Sequence, residues 1–209
     1  MKGRFITFEG IDGAGKSTHL AFCAQWLKER GCTVVVTREP GGTDLAEAIR
    51  DWFLNHPADP ETEALLAFAA RSDHLNRVIR PALARGDWVV CDRFTDSTVA
   101  YQGAGRGLGT ERIERLEAWL HPDLAPDRTY LFDLDPTEAA QRRASARAAD
   151  RFEAEDVAFF ARVRRGYQSR AAGAPDRIRV LDAGVPAATV RVLLTDDLRR
   201  CCAVWAADV

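Results

Sequence analysis

The sequence predicts an α/β fold: a five-stranded parallel sheet flanked by helices, in a three-layer sandwich. Three observations carry the prediction. Short β-branched or aromatic runs alternate with longer segments of helical apolar period. The 209 residues contain no internal repeat or low-complexity tract. No linker rich in Pro, Gly or Ser divides them, so residues 1–209 read as one domain.

The strands are expected at 4–8, 33–37, 88–91, 129–134 and 178–181, each a short run rich in Val, Ile, Thr or aromatic residues. Between them, apolar spacing places helices at 16–30, stopped by Gly31, and at 45–54, 61–84, 110–120, 136–147, 154–172 and 187–207. In such a fold ligands collect at the carboxyl ends of the strands, so chemistry is sought there.

Composition removes several functions. With 29 Lys plus Arg against 31 Asp plus Glu, the chain lacks the broad basic field that sequence-independent nucleic-acid binding needs. No apolar run approaches a membrane span, and the first residues enter a strand directly instead of forming a leader, which points to a cytoplasmic protein. Five Cys without C-x-x-C spacing fit neither a disulfide framework nor a zinc site, and read as free thiols.

After the first strand, Gly10-Ile11-Asp12-Gly13-Ala14-Gly15-Lys16-Ser17 matches G-x-x-x-x-G-K-[ST] between strand and helix. Small residues let successive backbone N–H groups turn inward on a phosphate chain, and the helix N-terminus adds positive charge. Lys16 reaches the β and γ phosphates and Ser17 ligates Mg²⁺. The triphosphate-binding set is therefore Gly10, Ile11, Asp12, Gly13, Ala14, Gly15, Lys16, Ser17 and Thr18, and the fold is of the P-loop NTPase type. Asp12 is a carboxylate in an anion-binding loop. It either accepts a hydrogen bond from a sugar hydroxyl of a second substrate or caps the turn.

After the second strand, Arg38 precedes Glu39-Pro40-Gly41-Gly42, a sharp turn with a plausible cis X-Pro bond. Arg38 either grips a second phosphate bidentately or pairs with Glu39. The third strand ends in Asp92-Arg93-Phe94. Asp92 stands where a P-loop protein places the acid that organises Mg²⁺, and Arg93 would lie between donor and acceptor phosphates. No N-K-x-D segment is present, which argues against a GTPase.

Phe8-Glu9-Gly10 through Lys16-Ser17-Thr18, Thr37-Arg38-Glu39-Pro40-Gly41-Gly42-Thr43, Asp92-Arg93-Phe94 through Ser97, and Ala100-Tyr101-Gln102-Gly103 resemble the signature segments of thymidylate kinase, in that family's order and spacing. Asp150-Arg151-Phe152-Glu153 resembles the stretch after its lid. The resemblance implies a nucleoside monophosphate kinase domain with a short Arg-rich lid at about 136–152, transferring the γ-phosphate of Mg·ATP to dTMP. It implies that Arg38 and Arg93 hold the acceptor phosphate and that Ser97 belongs to the substrate-binding set. Asp12 would meet the deoxyribose 3′-hydroxyl, Tyr101 disfavour a 2′-hydroxyl, Gln102 approach the thymine and Arg71 hydrogen-bond it. It also implies a homodimer packed through helices, for which 61–84 and 110–120 are the candidate faces.

Two departures bear on these roles. The family usually has an aromatic four residues before the base-binding Arg, whereas this chain has Ala67 there and Phe68 three residues before Arg71. Phe68 shares a helix face with Arg71 and either stacks on the base or packs in the core, leaving stacking to another ring. The position after Asp12 is Gly13, while Arg142, Arg143 and Arg147 precede Asp150. This resembles the bacterial type with its catalytic Arg in the lid, for which Arg143 and Arg147 are the candidates. No general base is needed, because the acceptor phosphate is already largely dianionic.

Overall fold

The computed structural model describes residues 3–144, 152 and 155–207. In chain order the elements are β1 (Phe5–Glu9), α1 (Lys16–Lys28), β2 (Val34–Arg38), α2 (Asp44–Asn55), α3 (Pro60–His74), a π-helical stretch (Leu75–Ile79) leading into α4 (Arg80–Ala84), and β3 (Trp88–Asp92). Then come α5 (Thr95–Thr98) with its π-helical continuation (Val99–Gly105), α6 (Thr110–Leu120), β4 (Arg128–Asp133), α7 (Pro136–Ala144), α8 (Val157–Gly173), β5 (Ile178–Asp182) and α9 (Ala187–Ala207). All five expected strands form, each within a residue or so of its expected bounds. The expected helix at 136–147 is described only to Ala144; the rest of it, with Arg147, lies outside the described residues.

The sheet has the order β2-β3-β1-β4-β5, and every pairing is parallel. With right-handed crossovers this order puts α1 on one face and the connections after β2, β3 and β4 on the other. The side chains follow the two-residue period of a strand. Ile6, Phe8, Trp88 and Val90 join Leu20, Cys23 and Leu27 of α1, whereas Phe5, Val89 and Cys91 join Leu75, Ile79 and Ala82. The last helix returns to the α1 face, where Trp205 meets Trp88 with ring centroids 5.5 Å apart.

The 95–105 helix, which the sequence did not suggest, matters most for function. It packs against α8 at Gly166, where a Cβ would lie 2.8 Å from the Ala104 Cβ and 3.0 Å from the Ala100 Cα. That close approach seats Tyr101 and Gln102 at the carboxyl edge of β1 and β3. No helix among the described residues is long and apolar enough to cross a membrane.

Candidate active site

The loop after β1 is shaped by its glycines. Gly10 has φ 132°, and a Cβ there would lie 2.4 Å from the Phe132 carbonyl oxygen of β4. Lys16 folds back over the loop, donating to the carbonyl oxygens of Gly10 at 2.9 Å and Ile11 at 3.1 Å. Ile11 and Ala14 are buried beneath the loop, while Ser17 and Thr18 are exposed on the first turn of α1. Burial, then the Arg93 charge, pulls the Lys16 pKa below its ordinary value against the opposing pull of Asp12, Asp92 and Glu9.

Ser17 and Asp92 line one cavity, together with Arg38. The Asp92 Oδ1 atom is buried and takes no hydrogen bond among the described residues. A hydroxyl beside an orphaned carboxylate oxygen is a donor set for a hard divalent cation such as Mg²⁺.

Across the loop, Asp12, Arg71, Arg93, Tyr101 and Gln102 line a second cavity. Arg93 lies in the left-handed backbone region, φ 69°, a conformation an Arg seldom adopts and one that concentrates at functional sites. Its guanidinium donates to Asp12 Oδ1 at 2.8 Å, Tyr167 Oη at 3.1 Å, and Ser97 Oγ and Tyr101 Oη at 3.2 Å. Asp12 also accepts from the Tyr101 hydroxyl at 3.1 Å, so both its carboxylate oxygens are engaged on the cavity side. Burial opposes its charge, but Arg93 and then Lys16 hold its pKa well below the ordinary carboxylate range. Beneath them the buried Glu9 accepts from the Phe94 amide at 2.7 Å, Ser97 Oγ at 2.5 Å and Tyr167 Oη at 3.0 Å. Burial, then the Asp96 charge, raises its pKa to about 7.

The far wall of this cavity is built by α3. Arg71 donates Nε to Glu39 at 2.7 Å and Nη2 to Thr98 at 3.0 Å, while its buried Nη1 takes no partner among the described residues. Such an orphaned donor is costly unless a ligand satisfies it. Gln102 donates to the buried Glu63 at 2.9 Å.

Two expectations change. Phe68 does not line the cavity: it packs with Ala64, Val99 and Ile113, and Ala67 faces the cavity instead. Consecutive helix residues diverge by about 100°, so only one of the two can face it. Phe53 and Phe152, stacked with centroids 5.1 Å apart and 23° between planes, line it along with Phe94 and Tyr101. Arg38 is exposed on the side of Ser17 and Asp92 and pairs with Glu47 at 2.9 Å, not with Glu39. Glu39 is buried, held by Arg71 and His74, and the Glu39–Pro40 peptide is cis.

The sequence reading missed Arg50, which lines the second cavity and donates to the Pro40 carbonyl at 2.9 Å. Burial, then the Arg38 and Arg93 charges, lowers its pKa, marking a crowded cationic site. Its signal was available: a helix directly follows the Pro-Gly-Gly turn, and Arg50 lies two turns along it. A third cavity opens beside Ala14 and Gly15, closed by His19, Arg142 and residues 183–187. Arg142 donates to the Ala183 carbonyl at 3.0 Å. Arg143 stands in α7 with its side chain, like the whole of Arg147, outside the described residues.

A loop built for a triphosphate thus faces, across Arg93, a separate cavity carrying its own guanidinium groups, an arrangement suited to passing a phosphate between two nucleotides. The fold is that of a P-loop phosphotransferase, a nucleoside monophosphate kinase. The chain belongs to the thymidylate kinase family, whose family model, described as thymidylate kinase, matches residues 8–192. It is 54% identical over 198 residues to a thymidylate kinase of Bordetella pertussis, covering 95% of each chain. It is 59% identical over 187 residues to one of Ralstonia nicotianae, covering 88% of this chain and 91% of that one. A crystal structure of thymidylate kinase from Ehrlichia chaffeensis superposes with TM-score 0.77 at 35% identity, covering 95% of this chain and 99% of that one.

Proposed function

We propose that this chain transfers the γ-phosphate of Mg·ATP to dTMP, giving dTDP and ADP. The observation that carries the reading is Arg93, fixed by four side-chain contacts between the triphosphate loop and the second cavity. ATP lies with its phosphates in the loop and its base in the cavity beside residues 183–187. Lys16 exchanges its carbonyl contacts for phosphate oxygens. Ser17 and Asp92 hold Mg²⁺, which when bound neutralises charge on the transferring group.

The acceptor lies in the second cavity. Arg93 and Arg50 hold its phosphate, and Arg38 approaches from the Mg²⁺ side. Ser97 lines the same cavity, where it braces Arg93 and is itself held by Glu9. Asp12 meets the 3′-hydroxyl, and Tyr101 fills the space a 2′-hydroxyl would need. The orphaned Nη1 of Arg71 and the amide of Gln102 meet the base, which stacks beside Ala67 on the ring of Phe53 and not on Phe68. No residue has to abstract a proton: the barrier is met by alignment and by cationic charge where negative charge accumulates. Arg143 and Arg147 of the segment at 136–152 add to that charge. The protein works in the cytoplasm as a homodimer. Leu65 of α3 and Trp119 of α6, 57% and 80% exposed, support a contact face on those helices.

The test is ADP formation by the purified protein with Mg·ATP and each of dTMP, dUMP, dCMP, dGMP and AMP. Turnover is expected with dTMP foremost and is expected to fall at least about 10²-fold in Arg93→Ala, as when one preorganised donor is removed from an active site. Preference for another monophosphate overturns the acceptor; absence of turnover overturns the activity.

A further inference from the structure

The Gln102 side chain has a donor end and an acceptor end, and nothing intrinsic to it decides which faces the cavity. Here the decision is made from behind. Glu63, in the first turn of α3, is fully buried, and its Oε2 accepts from Gln102 Nε2 at 2.9 Å and from Arg106 Nε at 3.4 Å. A carboxylate only accepts, so it holds the NH₂ end of the amide and turns Oε1 away from itself. That oxygen accepts no hydrogen bond among the described residues, and Gln102 lines the cavity. The same wall carries the buried Nη1 of Arg71, which has no partner among the described residues.

We infer that Glu63 is a positioning residue that fixes the polarity of Gln102, so that the cavity wall presents an acceptor beside the Arg71 donor. This rests on the dTMP reading above and extends it to a residue that does not touch the substrate. The pattern matches a pyrimidine with N3–H beside a C4 carbonyl, as in thymine and uracil. Cytosine offers the reverse, an acceptor at N3 and an amino group at C4, and would leave Gln102 and Arg71 facing like partners. Buried groups left unpaired in this way discriminate more strongly than a missing apolar contact.

Glu63→Gln preserves shape and removes the constraint. A glutamine at 63 can donate to the Gln102 Oε1, letting Gln102 turn its NH₂ toward the base. The measurement is kcat/KM for dTMP, dUMP and dCMP with saturating Mg·ATP. The last two differ only at the N3–C4 edge, and a ratio is insensitive to the fraction of enzyme that is folded. In Glu63→Gln the dTMP/dCMP and dUMP/dCMP ratios are expected to fall roughly tenfold, a change of about 1.4 kcal/mol. In a Gln102→Leu background the same substitution is expected to leave both ratios unchanged, because its effect runs through Gln102. Glu63→Asp keeps an acceptor-only head group and is expected to retain most of the selectivity.

Activity that falls equally on all three acceptors, with the ratios intact, assigns Glu63 a packing role and overturns the inference alone. So does a ratio that falls as far in Glu63→Asp as in Glu63→Gln. A wild-type chain that does not favour dTMP and dUMP over dCMP overturns the acceptor assignment and this inference together.

Discussion

Phe68 and Phe53 are the residues whose roles the structure separates most clearly. Phe68 sits in a buried cluster with Ala64, Val99 and Ile113, whereas Phe53 reaches from α2 to the cavity wall beside Ala67. Replacing Phe53 by Ala is expected to raise the KM for dTMP roughly tenfold, while the KM for ATP stays within about twofold; aromatic stacking of a base is worth about 1–3 kcal/mol. Phe68→Leu is expected to lower stability by about 1 kcal/mol, as buried shape changes do, and to leave that KM within about twofold. Steady-state kinetics and urea unfolding of the two variants decide between the rings, and a KM effect from Phe68→Leu alone would restore the first expectation. Asp12 and Arg93 were legible because they stand in short motifs at strand ends; Tyr101 and Gln102, in a family-like segment, and Arg71, in no motif, were reached only through the resemblance. Phe53 and Phe152 were not: 99 residues separate two rings that stack in space, and neither belongs to a motif whose spacing implies a partner.

At the scale of elements, the strands and most helices could be read from periodicity, but the helix that carries Tyr101 and Gln102 could not. Thr95, Asp96, Ser97 and Thr98 are polar and look like a turn, yet all four are buried. Their helix is held from outside: Arg170 and Arg177 both donate to Asp96, and α8 presses against the stretch Val99–Gly105. Gly166 is the point of contact. An Ala there would gain about 0.5–1 kcal/mol of helix propensity, but its Cβ would meet the Ala104 Cβ at 2.8 Å and the Ala100 Cα at 3.0 Å. The second of these is backbone and cannot rotate aside, so overpacking of about 1–3 kcal/mol prevails. Gly166→Ala is expected to lower the unfolding free energy by about 1 kcal/mol or more. It should also raise the KM for the acceptor more than that for ATP, because the displaced segment carries acceptor contacts alone. A variant at least as stable as the parent would show that the two helices separate freely.

The molecule as a whole brings five parallel strands to one carboxyl edge, and so gathers Glu9, Asp12, Lys16, Asp92, Arg93 and Asp96 in a small volume. The alternation of strands and helices revealed that such an edge would exist. It did not reveal which acid would hold a proton, because that depends on strand order and burial. Glu9 lies on the central strand β1, and its burial together with the Asp96 charge raises its pKa from 4.5 to about 7. The folded chain therefore keeps a proton that the unfolded chain releases above pH 4.5. The stabilisation from this group is complete below the unfolded pKa and is lost as pH rises through about 7. A shift of this size corresponds to roughly 3 kcal/mol. Asp12 and Asp96 have folded pKa values below the ordinary 3.8, so their contributions are lost only in stronger acid and do not enter this window. Glu9→Gln is neutral at every pH and has the same shape. Its amide can donate toward Ser97 and Tyr167 while its oxygen accepts from the Phe94 amide, replacing the contacts of the protonated acid. Urea unfolding of the parent and of Glu9→Gln between pH 5 and 8 is expected to show the variant gaining on the parent by about 2.5 kcal/mol, since part of the full shift is already lost at pH 5. Parallel profiles would mean that Glu9 is already ionised at pH 5. In that case the Arg93 guanidinium would rest on two permanent carboxylates, Asp12 beside it and Glu9 beneath Ser97, and the edge would carry one more negative charge than the raised pKa of Glu9 implies.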